Sequence, residues 1–344
     1  MKKTVFVTGA TGLLGNNLVR QLIDAGYHVK ALVRSRQKAN KQFVPHDELE
    51  IIDGDMTNVA SFESHLNGCE TVFHTAAFFR DNYKGGSHWT DLEKININGT
   101  KCLLEAALKA GVKQFVHVSS IAVLDGEAGT LIDETCDRDI ENSDDYYRSK
   151  IISERTVREF AAQYPMMKCY YILPGWMWGP GDLGPTSAGQ LALDVMNGKL
   201  PAIVPGTFSV VDARDVAAAM IMVTQNGKSG ERYLAAGRHI HMKDLVSMIG
   251  HYANVKTPTK TISMPLLYCI AVFQEIYGKL TEKPILLSLA SVRLMASQYD
   301  RTHFSSERYE KILGLQFRPL ERTLADTLSD LKNRQPDKLE VCPQ

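Results

Sequence analysis

The run Val5-Phe6-Val7-Thr8-Gly9-Ala10-Thr11-Gly12-Leu13-Leu14-Gly15 constrains this chain more than any other stretch. A short apolar, β-branched segment leads straight into three evenly spaced glycines and then into helix-forming sequence, which predicts a strand turning into a helix. In that geometry Gly9 permits a tight turn, Gly12 lets a pyrophosphate approach the backbone, and Gly15 lets the helix lie close on its strand. The free N–H groups of the first helical turn, at Thr11, Leu13 and Leu14, then face the phosphates. The first gap is one residue longer than in the Gly-x-Gly-x-x-Gly fingerprint of dinucleotide-binding folds.

The pattern continues as a helix over residues 13–25 that stops at Gly26, then a strand over His28–Val33, completing a βαβ unit. Dinucleotide folds place an acid at the end of that second strand, about twenty residues past the glycines, to bind the adenosine ribose hydroxyls. Arg34 occupies that position here, followed by Arg36 and Lys38. An acid repels a 2′-phosphate, whereas a guanidinium binds it in bidentate fashion. The expected cofactor is therefore NADP(H) rather than NAD(H).

Length and charge narrow the function classes. At 344 residues the chain exceeds the usual size of a single core, so one large domain with a lobe, or two domains, is expected. Equal numbers of basic and acidic residues, 39 each, supply no field for nucleic acid or an anionic membrane. The six cysteines are scattered without a Cys-x-x-Cys pair, so neither a structural metal site nor a disulfide framework is expected. Residues 262–277 are the longest apolar stretch, but Ser263, Pro265, Gln274 and Glu275 interrupt it below bilayer-spanning length. That segment reads as a buried or pocket-lining helix. The chain enters a strand without a secretory leader, so a cytoplasmic location is the expectation, with a small-molecule partner and a homodimer as the base-rate assembly.

Further strands are expected at Leu49–Asp53, Thr71–His74 and residues 115–118, the last ending at Ser119 and Ser120. A helix is expected over about 89–110, with Asn96 as a structural hydrogen-bonder, and His74 reads as a core histidine. A further helix opens at Asp145-Tyr146-Tyr147-Arg148-Ser149-Lys150 and runs toward Ala162. Of the two tyrosines only Tyr146 has a lysine four residues later, placing Tyr146 and Lys150 on one helical face. A phenol with a pKa near 10 is a poor acid–base catalyst at neutral pH, and a nearby ammonium favours its phenolate.

In order, the chain carries Thr-Gly-Ala-Thr-Gly-Leu-Leu-Gly, Gly54-Asp55-Met56-Thr57, His74-Thr75-Ala76-Ala77, Asn96-x-x-Gly-Thr, Val-Ser-Ser, Tyr146-x-x-x-Lys150 and Pro174-x-x-x-Trp-Gly-Pro. This succession resembles the extended short-chain dehydrogenase/reductases. The late segment is similar to their dihydroflavonol-reductase-like branch. The resemblance implies an α/β, Rossmann-type doubly wound parallel sheet with a smaller, mostly helical C-terminal substrate lobe. It implies a nucleotide domain over residues 1–175 with a returning segment about 209–236. The lobe then comprises 176–208 and 237–332, followed by a frayed polar tail over 333–344.

By the same resemblance Ser120, rather than Ser119, is the catalytic hydroxyl, acting with Tyr146 and Lys150. Asp55 and Met56 lie beside the adenine, Thr75, Ala76 and Ala77 line the cofactor, and Pro174 borders the nicotinamide. Leu173 and Trp178 depart from the arginine and tyrosine common at their positions, beside the pocket-forming lobe. Trp176, Met177, Trp178, Leu266, Leu267, Tyr268 and Phe273 offer apolar surface there. These features favour an NADPH-dependent reductase acting on the carbonyl of a rather apolar aldehyde or ketone. A nucleotide-sugar 4-epimerase with retained cofactor is the alternative within enzymes, and a non-catalytic NADP-sensing protein the alternative of another class. A dehydratase fits less well, because Ile121 follows Ser120 where an acid is usual.

Overall fold

The computed structural model describes residues 2–79, 88–281 and 289–334. The opening run forms β1 (Thr4–Thr8), whose Val5, Phe6 and Val7 are fully buried, as in a parallel sheet covered on both faces. Then follow α1 (Leu13–Asp24), β2 (His28–Val33), α2 (Arg36–Gln42), β3 (Leu49–Asp53) and β4 (Thr71–His74). A long helix comprises α3 (Trp89–Leu92), a π-helical segment Glu93–Gly99 and α4 (Thr100–Lys109). The expected regular helix over 89–110 is thus continuous in path but π-wound in its middle. There Asn96 gives its side chain to other segments, and a Cβ on Gly99 would lie 2.8 Å from the Met56 carbonyl oxygen. A locally widened helix meets both demands.

Next come β5 (Gln114–Val118), α5 (Asp145–Gln163), β6 (Lys168–Pro174), β7 (Trp176–Trp178), α6 (Ser187–Met196), β8 (Thr207–Asp212), α7 (Ala213–Asn226) and β9 (Arg232–Ala235). The remainder is β10 (Arg238–His241), α8 (Met242–Ala253), α9 (Met264–Thr281), α10 (Leu289–Ser297), α11 (Glu307–Lys311) and α12 (Leu320–Arg334).

Seven parallel strands make the main sheet, in the order β3-β2-β1-β4-β5-β6-β9. The connection reverses direction between β1 and β4, which opens a crevice at the carboxyl ends of those two strands. One face packs on α1 and α7 through Leu18, Leu22, Val216 and Met220. The other packs on α4 and α5 through Leu103, Leu104 and Val157. A three-stranded sheet, β10-β8-β7, backs a third core in which Trp178 meets Leu193, Leu245 and Leu328.

Two expectations about the lobe are corrected. Trp178 and Leu173 are both fully buried, Trp178 in that third core and Leu173 in the main-sheet core. Trp178 is therefore core rather than pocket surface, because α6, α8 and α12 cover the face of β7 that it occupies. Helix α9 is not simply buried. It seats Leu267 and Ala271 against Val292, while Leu266, Val272, Phe273, Ile276 and Tyr277 are exposed on its other side. The polar residues of the stretch do not mark the exposed side: Gln274 and Glu275 are half-buried and Glu275 accepts the Leu289 N–H, so the sequence carries no signal for which side faces water. Lys283-Pro284 and residues 335–344 of the expected tail lie outside the described residues.

Candidate active site and dinucleotide cleft

The glycine loop sits at the crevice between β1 and β4. Gly9 adopts φ +65°, and a Cβ there would lie 2.8 Å from the Ala76 backbone. Its carbonyl accepts the Gly12 N–H at 2.9 Å, and a Cβ on Gly15 would lie 2.2 Å from that same oxygen. Helix α1 therefore begins as close to the loop as a backbone without side chains permits. Gly12 is exposed, and as N-cap it offers no side-chain acceptor. The first-turn N–H groups are thus left facing outward, the donor set that a pyrophosphate needs. Leu13 and Leu14 turn into the core beneath, Thr11 is half-buried, Thr75 and Ala76 lie against Gly9 across the crevice, and Ala77 beyond them is exposed. These residues fit a dinucleotide.

Asn16 and Asn17 hold this loop in a way the sequence reading missed. Asn16 donates to the carbonyls of Gly12, Leu13 and Gly181, and Asn17 to those of Leu13 and Pro180. The signal was two adjacent amides inside a largely apolar helix, where buried polar groups need partners.

At the end of β2 the Arg34 side chain is 74% exposed, with Nη1 4.0 Å from Asp55. Arg36 instead turns to β3, its Nε donating to Asp53 at 2.5 Å and its Nη2 to the Ile51 carbonyl. Lys38 is exposed on the first turn of α2, whose N-terminus the Ser35 hydroxyl caps. Asp55 accepts the Thr57 N–H at 2.8 Å, while the Met56 side chain lies in the core with Leu32, Ile52 and Phe62.

The candidate reactive groups gather at the carboxyl end of β5. The Asp144 carboxylate caps α5 by accepting the Tyr147 N–H at 2.7 Å, which sets the first turn carrying Tyr146. Ser149 donates to the Tyr146 carbonyl and accepts from Asn96, whose amide also clasps both backbone groups of Phe78. The structure thus gives Asn96 its expected structural role. Ser120 hydrogen-bonds the Tyr146 phenol, while Ser119, 2% exposed, points away and donates to Glu154 at 2.5 Å. Burial pushes the Tyr146 phenol above its ordinary pKa, and the Ser120 hydrogen bond opposes this.

Lys150 is buried, with Nζ donating to the Val118 carbonyl at 2.7 Å. Burial pulls its pKa down to about 8, and Glu154 works in the opposite direction. Tyr147 projects elsewhere, its ring stacked under the Arg138 guanidinium at 4.8 Å. Pro174 ends β6 and is buried in register with Ala235 of β9.

The model of the NAD dependent epimerase/dehydratase family matches residues 5–236. Sterol demethylase protein B of Methylococcus capsulatus is 32% identical over 273 residues, covering 79% of this chain and 81% of that protein. A putative dihydroflavonol 4-reductase of Synechocystis is 28% identical, covering 97% of this chain and 96% of its own. The solved structure of gox2253 superposes with a TM-score of 0.82 at 28% identity, over 98% of this chain and 100% of that one. With a glycine loop at the sheet's switch point and a Ser–Tyr–Lys set at the end of β5, the chain belongs to the NAD dependent epimerase/dehydratase family, and is an extended short-chain dehydrogenase/reductase enzyme using a nicotinamide cofactor.

Proposed function

We propose that this enzyme uses NADPH to reduce the carbonyl of a fairly apolar aldehyde or ketone. The observation that carries the reading is the Phe79 ring, 43% exposed, standing edge-on to Tyr146 with ring centres 4.8 Å apart. It puts apolar surface beside the proton donor, where an uncharged substrate gains about 25 cal/mol per Å² of apolar area removed from water. A nucleotide sugar instead needs cationic or backbone anchors for its diphosphate, and Lys199 is the only lysine or arginine between Pro174 and Val211.

When bound, NADPH supplies the hydride. Ser120 holds the substrate oxygen, and Tyr146 donates its proton to that oxygen as charge develops there. The raised pKa of the phenol suits this direction, since it arrives protonated at neutral pH. Lys150, tethered at the Val118 carbonyl, holds the nicotinamide ribose and stabilises the phenolate left behind.

The test is a screen of aldehydes, ketones and nucleotide sugars, following NADPH absorbance. Stoichiometric consumption with an apolar carbonyl compound is expected, without tight UDP-sugar binding. Interconversion of two UDP-hexoses with no net oxidation would establish the epimerase instead.

A further inference from the structure

Arg138 lies in the irregular segment between β5 and α5 with its side chain only 5% exposed, yet the chemistry above gives it no task. Its guanidinium grips the stretch that follows Ser120. Nε donates to the Ala122 carbonyl at 2.8 Å, Nη2 to that of Leu124 at 2.7 Å, and Nη1 to the Asp125 carboxylate at 3.3 Å. Nη2 also donates to Gln298 Oε1 at 3.0 Å, just past α10. The same guanidinium lies over the Tyr147 ring, 4.8 Å from its centre. A buried ion pair is a poor device for stability alone, because desolvating both charges offsets their attraction. What distinguishes Arg138 is that each of the two segments it holds carries a candidate reacting group.

We propose that Arg138 is a positioning residue for the Ser120–Tyr146 pair: its planar fork fixes the turn that orients the Ser120 hydroxyl and, through the Tyr147 ring, the first turn of α5 that carries Tyr146. The proposal rests on reading Ser120 and Tyr146 as the groups that meet the substrate oxygen.

The chain of contacts to Ser120 passes through a single residue. Ser120 caps the short helical turn Ile121–Val123, its hydroxyl oxygen accepting the Ala122 N–H at 3.1 Å, and Arg138 holds the carbonyl of that same Ala122. With the Ala122 N–H on its oxygen, the hydroxyl keeps its own proton to give to a reacting group. The Arg138 N–H donates to the Val123 carbonyl at 2.9 Å, so backbone and side chain grip consecutive residues of the turn. On the other side Tyr147 follows Tyr146 directly, their rings edge-on with centres 6.1 Å apart. A lysine lacks the planar fork that spans two carbonyls while lying flat on a ring. Gln298 holds the fork from the C-terminal part of the chain, where Arg301 also reaches Asp125 at 3.6 Å.

Amide hydrogen exchange read by mass spectrometry tests this on the full chain and needs no substrate. Arg138→Met keeps an unbranched side chain without the fork, and should speed exchange in residues 119–125 and 145–149 together while β1 and β4 stay protected. Turnover is then measured with the substrate found in the screen above, whether a carbonyl compound or a UDP-hexose. Arg138→Met should lower kcat about 100-fold, the effect of a misplacement of about 1 Å, with KM and NADPH affinity nearly unchanged. Arg138→Lys, which keeps a cation over Tyr147, should recover part of that loss. Gln298→Ala leaves the fork its nearer partners and serves if the methionine variant does not fold; it should lower kcat a few-fold in the same pattern. A merely structural role would lower the melting temperature with kcat unmoved below it. That result, or unchanged exchange in the two segments of a folded Arg138 variant, overturns the proposal. Full turnover in Ser120→Ala and Tyr146→Phe would instead overturn the reading of those residues, and the proposal with it.

Discussion

One oxygen atom separates tyrosine from phenylalanine, and at positions 146 and 147 its loss should have opposite consequences. Tyr146→Phe removes the phenol that Ser120 contacts and should lower kcat by roughly 10²–10⁴ with NADPH binding nearly intact. Tyr147→Phe keeps the ring beneath Arg138 and should stay within a few-fold of wild type. Steady-state kinetics of the two variants decide the helical register, and inactivity confined to the second would reverse it. Arg34 is the other residue whose role turns on a single group. Charge-assisted contacts of about 1.5–3 kcal/mol to a 2′-phosphate give roughly a ten- to hundredfold preference for NADPH over NADH. Arg34→Ala should erase most of that preference in a binding titration. Equal wild-type affinities, or an unchanged ratio in the variant, would contradict the assignment.

At the scale of the element, β4 and β5 carry a pair of buried histidines that should make the fold sensitive to acid. His74 joins three segments, with Nδ1 2.8 Å from the Thr8 hydroxyl and Nε2 2.9 Å from that of Thr100. Burial, and secondarily Lys150, pulls its pKa down to about 3. His117 is also depressed by burial, and among the described residues neither of its ring nitrogens has a hydrogen-bond partner. Both folded values lie below the unfolded value near 6.5, so the unfolded chain takes up protons that the native state refuses. Stability from these groups is therefore complete above pH about 6.5 and is lost as pH falls, for His74 down to about 3. The loss is about 1.4 kcal/mol per pH unit for each histidine. Urea denaturation at a series of pH values should show this slope, and His117→Phe should make it shallower. A variant with the wild-type slope would remove His117 from the account. The sequence marked His74 as a core histidine but passed over His117, which reads as one more residue in a buried strand.

Across the whole molecule, the nucleotide domain presses its sheet between two helical layers, whereas α9 is held on one side by a small cluster. Leu267→Ala, at a residue 2% exposed, should cost about 2–5 kcal/mol. Phe273→Ser, at a residue 73% exposed on the same helix, should change stability by no more than about 0.5 kcal/mol. Thermal denaturation of both variants checks the orientation of the helix, and a large loss from the second would mean that this face is covered. Among the described residues no helix is long and apolar enough to cross a membrane.

What the sequence determined by itself were the features written in local spacing. The strand–glycine–helix opening, the basic end of β2 and the i, i+4 pairing of Tyr146 with Lys150 depend on residues a few positions apart, so backbone geometry alone places them. Tertiary structure decided whatever depended on which surface a side chain meets. The family resemblance singles out Ser120 over Ser119, but what each side chain meets is tertiary: neighbouring residues leave an extended chain on opposite sides, so Ser119 meets Glu154 and Ser120 meets Tyr146. Trp178 could have been pocket wall or core, and α6, α8 and α12 closing over it made it core. Arg232, 78 residues from Glu154, reaches it only because β9 pairs with β6. Composition and periodicity record that such groups are polar or apolar, while their partners exist only after distant strands have come into register.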